Sequence, residues 1–169
     1  MKNKTDSNHY KLILGNCTFN YIDLGSRGGL SDEWAKVGNV INVVLFEPEP
    51  KEAAELQISA PNNTIVIPKA VWDCQGEVSF HSTRNPSYSS VLKPDTKVLD
   101  GTYYYCRNFY EIEDKSQINV DVLEDVLIEH GVEQIDFLKI DIQGAENYIF
   151  NSLRNWKSIT GVHTEAYSA

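Results

Sequence analysis

The chain has 169 residues, 41% hydrophobic and 23% charged, the make-up of one ordinary globular domain rather than a disordered or fibrous chain. Its net charge of −9 comes with no block of Lys and Arg, so the phosphate-neutralising footprint of a nucleic-acid binder is missing. Three scattered cysteines, Cys17, Cys74 and Cys106, show no metal-ligand spacing and read as reduced thiols.

The opening stretch, Met1 to Tyr10, is polar and lacks the apolar segment of a signal peptide, and no run approaches the ~18 apolar residues of a membrane span. The expectation is a cytoplasmic protein with neither nucleic-acid nor membrane partners. From there, short β-branched runs alternate with stretches of helical period, the pattern of a mostly parallel sheet with helices on both faces. The first run, Asn20 to Asp23, passes into Leu24-Gly25-Ser26-Arg27-Gly28-Gly29. Gly25 and Gly29 let the backbone approach a ligand closely, and the N–H groups of the helix that follows suit a carboxylate. A plain tight turn remains an alternative, as does a dinucleotide site, although the fingerprint Gly-x-Gly-x-x-Gly meets Arg27 where a glycine belongs. The spacing Asp-x-Gly-x-x-x-Gly over Asp23, Gly25 and Gly29 resembles the first motif of class I methyltransferases.

Leu30 to Gly38 reads as a short helix opened by Ser31 and Asp32, and Val40 to Glu47 as the second strand, with Pro48 directly after it. A carboxylate at that strand end, Glu47, can accept hydrogen bonds from both ribose hydroxyls of a nucleoside. Otherwise it is a solvated strand terminus. Glu49 to Ser59 is a second helix with Pro50 in its first turn, and Thr64 to Pro68 the third strand. In this architecture adenine lies beside the following segment, where backbone of Ala70 and Val71 meets its edge and Asp73 accepts from its amino group. Trp72 reads as core packing.

From Glu77 to Asn119 the pattern changes to alternating segments such as Val78-Ser79-Phe80-His81, with turns at Asn85-Pro86 and Asp100-Gly101. These predict an inserted antiparallel segment. Within it, Tyr103 to Tyr105 reads as a strand's core face plus an exposed edge, with stacking on a sugar or polyketide as the alternative. Asp121 to His130 is a third helix, with Asp121 and Glu124 at capping-box spacing and Gly131 as its stop. Ile135 to Ile142 is the fourth core strand; Ala145, Tyr148, Ile149 and Ser152 then share one helical face, and Ile159 to Glu165 is the fifth strand.

The segment from Ile135 to Glu146, with Lys139-Ile140-Asp141-Ile142-Gln143-Gly144 at its centre, resembles the signature of the FkbM family of S-adenosylmethionine-dependent methyltransferases. Asp23-Leu24-Gly25, Phe46-Glu47-Pro48, Asp73 with Gly76, Ser89-Ser90, Val122 to Leu127 and Thr164-Glu165 support the likeness. The resemblance implies a Rossmann-like class I methyltransferase fold in a single domain over residues 1–169, with its core at 19–165. It further implies S-adenosylmethionine held at Asp23, Gly25, Gly29 and Glu47; Ser26, Pro48, Ala70, Val71, Asp73 and Asp141 complete the expected donor site. The acceptor would be a hydroxyl on a small molecule, sugar or secondary metabolite, positioned in part by Ser89 and Ser90. The family's sheet continues past the fifth strand into an antiparallel pair, whereas this chain stops at Ala169, so a shortened sheet edge is expected.

Methyl transfer from a sulfonium is an in-line displacement, helped by alignment and by a base for the hydroxyl. Reactions on open α/β sheets occur beyond the carboxyl ends of the strands, which brings Asp141 and Glu165 to the mouth and Glu146 one turn further on. Asp141 is the first candidate for the base, its alternative a helix N-cap. Glu165 is the second. His163, on the same side of its strand as Glu165, is a candidate for binding substrate. The site is expected to be metal-free, the alternative being Mg²⁺ held by Asp141, Glu146 and Glu165. Two rival functions are an inactive donor-binding scaffold and a nicotinamide-dependent oxidoreductase.

Overall fold

A computed structural model describes residues 10, 12–15, 17–102 and 104–164. In chain order its strands are β1 Asn20–Leu24, β2 Asn42–Phe46, β3 Thr64–Ile67, β4 Ala70–Trp72, β5 Gly76–Thr83, β6 Ile112–Val122, β7 Phe137–Ile140 and β8 Gly161–Thr164. The helices are α1 Asp32–Ala35, α2 Pro50–Ser59, α3 Thr96–Thr102, α4 Leu123–Glu129 and α5 Glu146–Ser152.

Five of the strands form an all-parallel sheet in the order β3-β2-β1-β7-β8. Its centre is dry on both sides, because Tyr21 to Leu24 and Val43 to Phe46 are buried without interruption. Odd and even positions feed different cores. Ile22, Leu24, Val44, Phe46, Leu138 and Ile140 pack under Leu123, Val126 and Leu127 of α4 and Ile149 of α5. Tyr21, Val43 and Leu45 pack on the opposite face with Leu56 of α2 and Trp34 of α1. Each fully buried Leu, Ile or Phe contributes about 1.5–3 kcal/mol, so the two layers together hold the sheet between its helices. From β1 the chain leaves toward β2 on one side and returns as β7 on the other, and this reversal of strand order opens a crevice at the carboxyl ends.

The inserted segment forms a second sheet in the order β4-β6-β5. β5 and β6 are antiparallel, as the alternation predicts, but β6 runs on past Asn119 to Val122 and there pairs in parallel with β4. Within the segment expected to lie beside adenine, Ala70 to Trp72 form a short strand.

Three local expectations are corrected. The helix predicted over Leu30 to Gly38 shrinks to Asp32–Ala35, and Ser31 makes no side-chain cap. The helix after β6 starts at Leu123 instead of Asp121, because Asp121 stays in the sheet with its carboxylate on Lys69 Nζ at 3.0 Å and on Gln75 Nε2 at 3.0 Å. Glu124 likewise forms no capping box; it accepts from the backbone N–H of Arg154 at 2.9 Å and of Asn155 at 3.0 Å. The predicted aromatic strand is a 3-10 segment, Tyr104–Tyr110; Tyr103 lies outside the described residues. None of the three cysteines is in a disulfide. Among the described residues, no helix is long and apolar enough to cross a membrane.

Candidate active site

A cleft of about 610 Å³ lies where the carboxyl ends of β1, β2 and β7 meet the inner face of the second sheet. Its floor is the glycine turn. The N–H groups of Gly25 and Ser26 both donate to the Phe46 carbonyl, at 3.1 and 3.0 Å, while Asp141 N–H donates to the Leu24 carbonyl at 3.0 Å. Gly25 sits at φ +80°, and a Cβ built on it would stand 2.0 Å from the Asp141 carbonyl oxygen. Only glycine satisfies both the dihedral and the spacing. Gly25 lines the cleft. Ser26 and Gly29 do not: the Ser26 hydroxyl donates to the Asp23 carbonyl at 2.7 Å, and Gly29 faces Leu56 of α2.

Asp23 is fully buried beneath this turn rather than in the cleft. Lys139, its register partner on β7, reaches it at 2.9 Å, and the Tyr21 hydroxyl donates to it at 3.2 Å. Burial pushes the Asp23 carboxyl above the ordinary range, with the Lys139 ammonium working against that rise. The Tyr21 phenol is pushed well up, by burial first and then by the Asp23 charge. Asp23 thus anchors β1 to β7 from below.

Glu47, by contrast, combines burial with a place in the lining, being only 4% exposed at the end of β2. Its Oε1 accepts the Glu49 N–H at 2.9 Å. Burial pushes this carboxyl above the usual range, opposed by that hydrogen bond and by the Arg27 charge. A buried carboxylate facing a cavity beside a bare backbone turn fits the ribose of an adenosyl group. Pro48, Ala70 and Val71 line the same wall. Asp73, past the end of β4, is exposed and outside the lining; Trp72, expected in the core, is half-buried instead and stacks on the exposed Tyr148 with ring centroids 4.1 Å apart.

At the end of β7, Asp141 lines the cleft and accepts from Gln143 Nε2 at 3.0 Å. Gln143 and Gly144 both take positive φ, 57° and 95°, which turns the chain sharply into α5. The N-cap of that helix is Ala145, with no side-chain cap, so the capping alternative for Asp141 is not realised. Glu146 supports the loop: buried, it accepts the N–H groups of Ile142 at 3.3 Å and Gly144 at 3.1 Å and stays out of the lining. His163 is exposed on the edge strand β8, away from the cleft, and Glu165 lies outside the described residues. Among the described residues, no three potential ligands gather to hold a metal ion.

The roof is the second sheet, where Phe80 and Ser82 of β5 and Asp114, Ser116 and Ile118 of β6 share the cleft face. Ser89 and Ser90 line the cleft too, yet their hydroxyls are spent internally. Ser89 Oγ accepts the Thr83 N–H at 3.0 Å. Ser90 Oγ donates toward the carbonyls of Ile142 and Gln143, at 3.3 and 3.0 Å, and so bolts the roof to the Asp141 loop. The sequence reading passed over Arg27, Gln143 and this roof. Alternation at period two along β5 and β6 was the available signal for the roof; Arg27 lies in the glycine turn and Gln143 in the signature segment, but spacing alone gives neither side chain a role.

The cleft sits where a nucleoside-dependent enzyme of this topology binds its ligand, and the two segments that carry the signature, Asp23 to Gly29 and Asp141 to Glu146, touch within it. Neither a curated protein nor a solved structure matches the chain. A family model described as the methyltransferase FkbM domain matches residues 7–167, and with that span covered the chain belongs to the FkbM methyltransferase family.

Proposed function

We propose that the protein is an S-adenosylmethionine-dependent O-methyltransferase acting on a hydroxyl of a small molecule, sugar or secondary metabolite. The observation that carries this reading is Glu47, a carboxylate 4% exposed yet lining the cleft beside Gly25. A charged group is kept at such a position at a desolvation cost, which a ligand offering two hydroxyl donors offsets. When bound, S-adenosylmethionine supplies a methyl group already activated on a sulfonium. The chain's own work is then alignment and proton removal. Glu47 holds the ribose, the turn at Gly25 leaves room for the donor against bare backbone, and Phe80 and Ile118 exclude water from the roof side. Asp141, oriented by Gln143, takes the hydroxyl proton as the O–CH₃ bond forms and the S–CH₃ bond breaks.

Thermal unfolding with saturating S-adenosylmethionine, S-adenosylhomocysteine and NAD tests the donor assignment, since a ligand that binds only the folded state raises its stability. Both sulfur nucleosides are expected to raise Tm and NAD to leave it unchanged. A shift with NAD alone reverses the assignment.

A further inference from the structure

The glycine turn carries one long side chain, and the chemistry above leaves it without a task. Arg27 lines the cleft with its guanidinium on Glu49 and, at 3.2 Å, on Glu52 of α2. The Gly28 N–H also donates to Glu52, at 3.0 Å, so the turn after β1 is tied twice to the start of α2. Glu49 in its turn donates its N–H to Glu47 Oε1. A continuous path of polar contacts therefore runs from Arg27 through Glu49 to the carboxylate at the end of β2.

We propose that Arg27 is a positioning residue for the methyl donor: it braces Glu49 and Glu52 and supplies the counter-charge that keeps Glu47 ionised and able to accept from both ribose hydroxyls. This rests on the donor reading above. Among neighbouring charges, those of Glu52 and Glu49 push the Glu47 carboxyl up while that of Arg27, held beside it through Glu49, pulls it down. Asp141 shares the cleft from β7, and Lys69, the other lining cation, is engaged by Asp121 at 3.0 Å and Glu129 at 3.5 Å. Without Arg27, burial and like charge act together to favour the protonated acid. A protonated Glu47 gives up one acceptor site to its own proton and holds the ribose poorly. Donor affinity must then fall on acidification, and fall at higher pH once Arg27 is gone.

The test is calorimetric titration of S-adenosylhomocysteine into wild type, Arg27→Met and Arg27→Lys at several pH values between about 5 and 8, with the Glu47 carboxyl followed by ¹³C NMR in the ligand-free proteins. Arg27→Met is expected to lose about tenfold in affinity near pH 6, to recover toward wild type near pH 8, and to raise the NMR midpoint of Glu47; Arg27→Lys restores most of both. Arg27→Gln serves in the same way if the Met variant does not fold. An unchanged Glu47 midpoint, or a loss of equal size at every pH in both the Met and Lys variants, overturns the proposal. Wild type that binds no S-adenosylhomocysteine at any pH sinks the donor reading itself, whereas the ligand-free midpoints still judge the role of Arg27.

Discussion

The floor and the roof of the cleft are built on opposite principles. On and beneath the floor, polar groups are buried and committed: Asp23 to Lys139, Glu47 to the Glu49 N–H, the Gly25 and Ser26 N–H groups to one carbonyl. On the roof, Asp114 is exposed and Ser82 and Ser116 are half-buried, on strands whose far side faces solvent or loops. Such a floor recognises one shape at a fixed desolvation cost, whereas the roof presents hydroxyls and a carboxylate that adapt by rotamer. Under the proposed function, the donor takes the rigid side and the acceptor the adaptable side.

Four substitutions press on that division, the largest effect first. Asp141→Asn stands at the boundary, and it is expected to slow turnover by about 10²–10⁴-fold while leaving calorimetric donor affinity nearly intact. Equal loss of both would move Asp141 wholly to the floor. Lys139→Met strands the buried Asp23 charge and should cost about 3–5 kcal/mol of stability at neutral pH, read by denaturant unfolding. Because burial holds the folded Asp23 above its ordinary range, the folded state gains protons as pH falls, and the deficit of this variant shrinks on acidification. A deficit independent of pH would show that packing, not charge, is lost.

Glu47→Ala removes hydrogen bonds to a charged acceptor and should weaken donor binding by about 1.5–3 kcal/mol, roughly 10- to 150-fold in Kd. Unchanged affinity would strip the floor of its ribose contact. Ser90→Ala, the smallest, loses one hydroxyl donor between roof and floor and should lower stability by about 1 kcal/mol in the same unfolding assay, with donor Kd unaltered. If donor affinity falls instead, roof and floor are coupled more tightly than their contacts indicate.

The parallel sheet was legible because its signal is local: Tyr21 with Ile22, and Val43 to Phe46, are apolar on consecutive residues, the mark of a strand covered on both faces. The pairing of β4 with β6 was not, since three residues, Ala70 to Trp72, carry too little pattern to name a partner some fifty positions away, at Val120 to Val122. The same limit divides the site. Gly25, Glu47, Pro48, Ala70, Val71, Asp141, Ser89 and Ser90 do converge on the cleft, because strand ends and turns set their position. Asp23, Ser26, Gly29, Asp73, Glu146 and His163 do not line it. In Asp23 and Glu146 a carboxylate that looks reactive in sequence is consumed by an ammonium or by N–H groups, a fact of three dimensions with no counterpart in spacing.

The missing side chain at Gly25 has an implication for how such a protein is re-engineered. With 2.0 Å between a notional Cβ and the Asp141 carbonyl oxygen, the turn and the Asp141 loop are fitted like two faces of a keyed joint, and the turn accepts no added atom at Gly25. Retuning the enzyme toward a new acceptor is therefore work for the opposite wall, at Phe80, Ser82, Asp114 and Ser116, where a changed side chain meets open volume instead of another main chain.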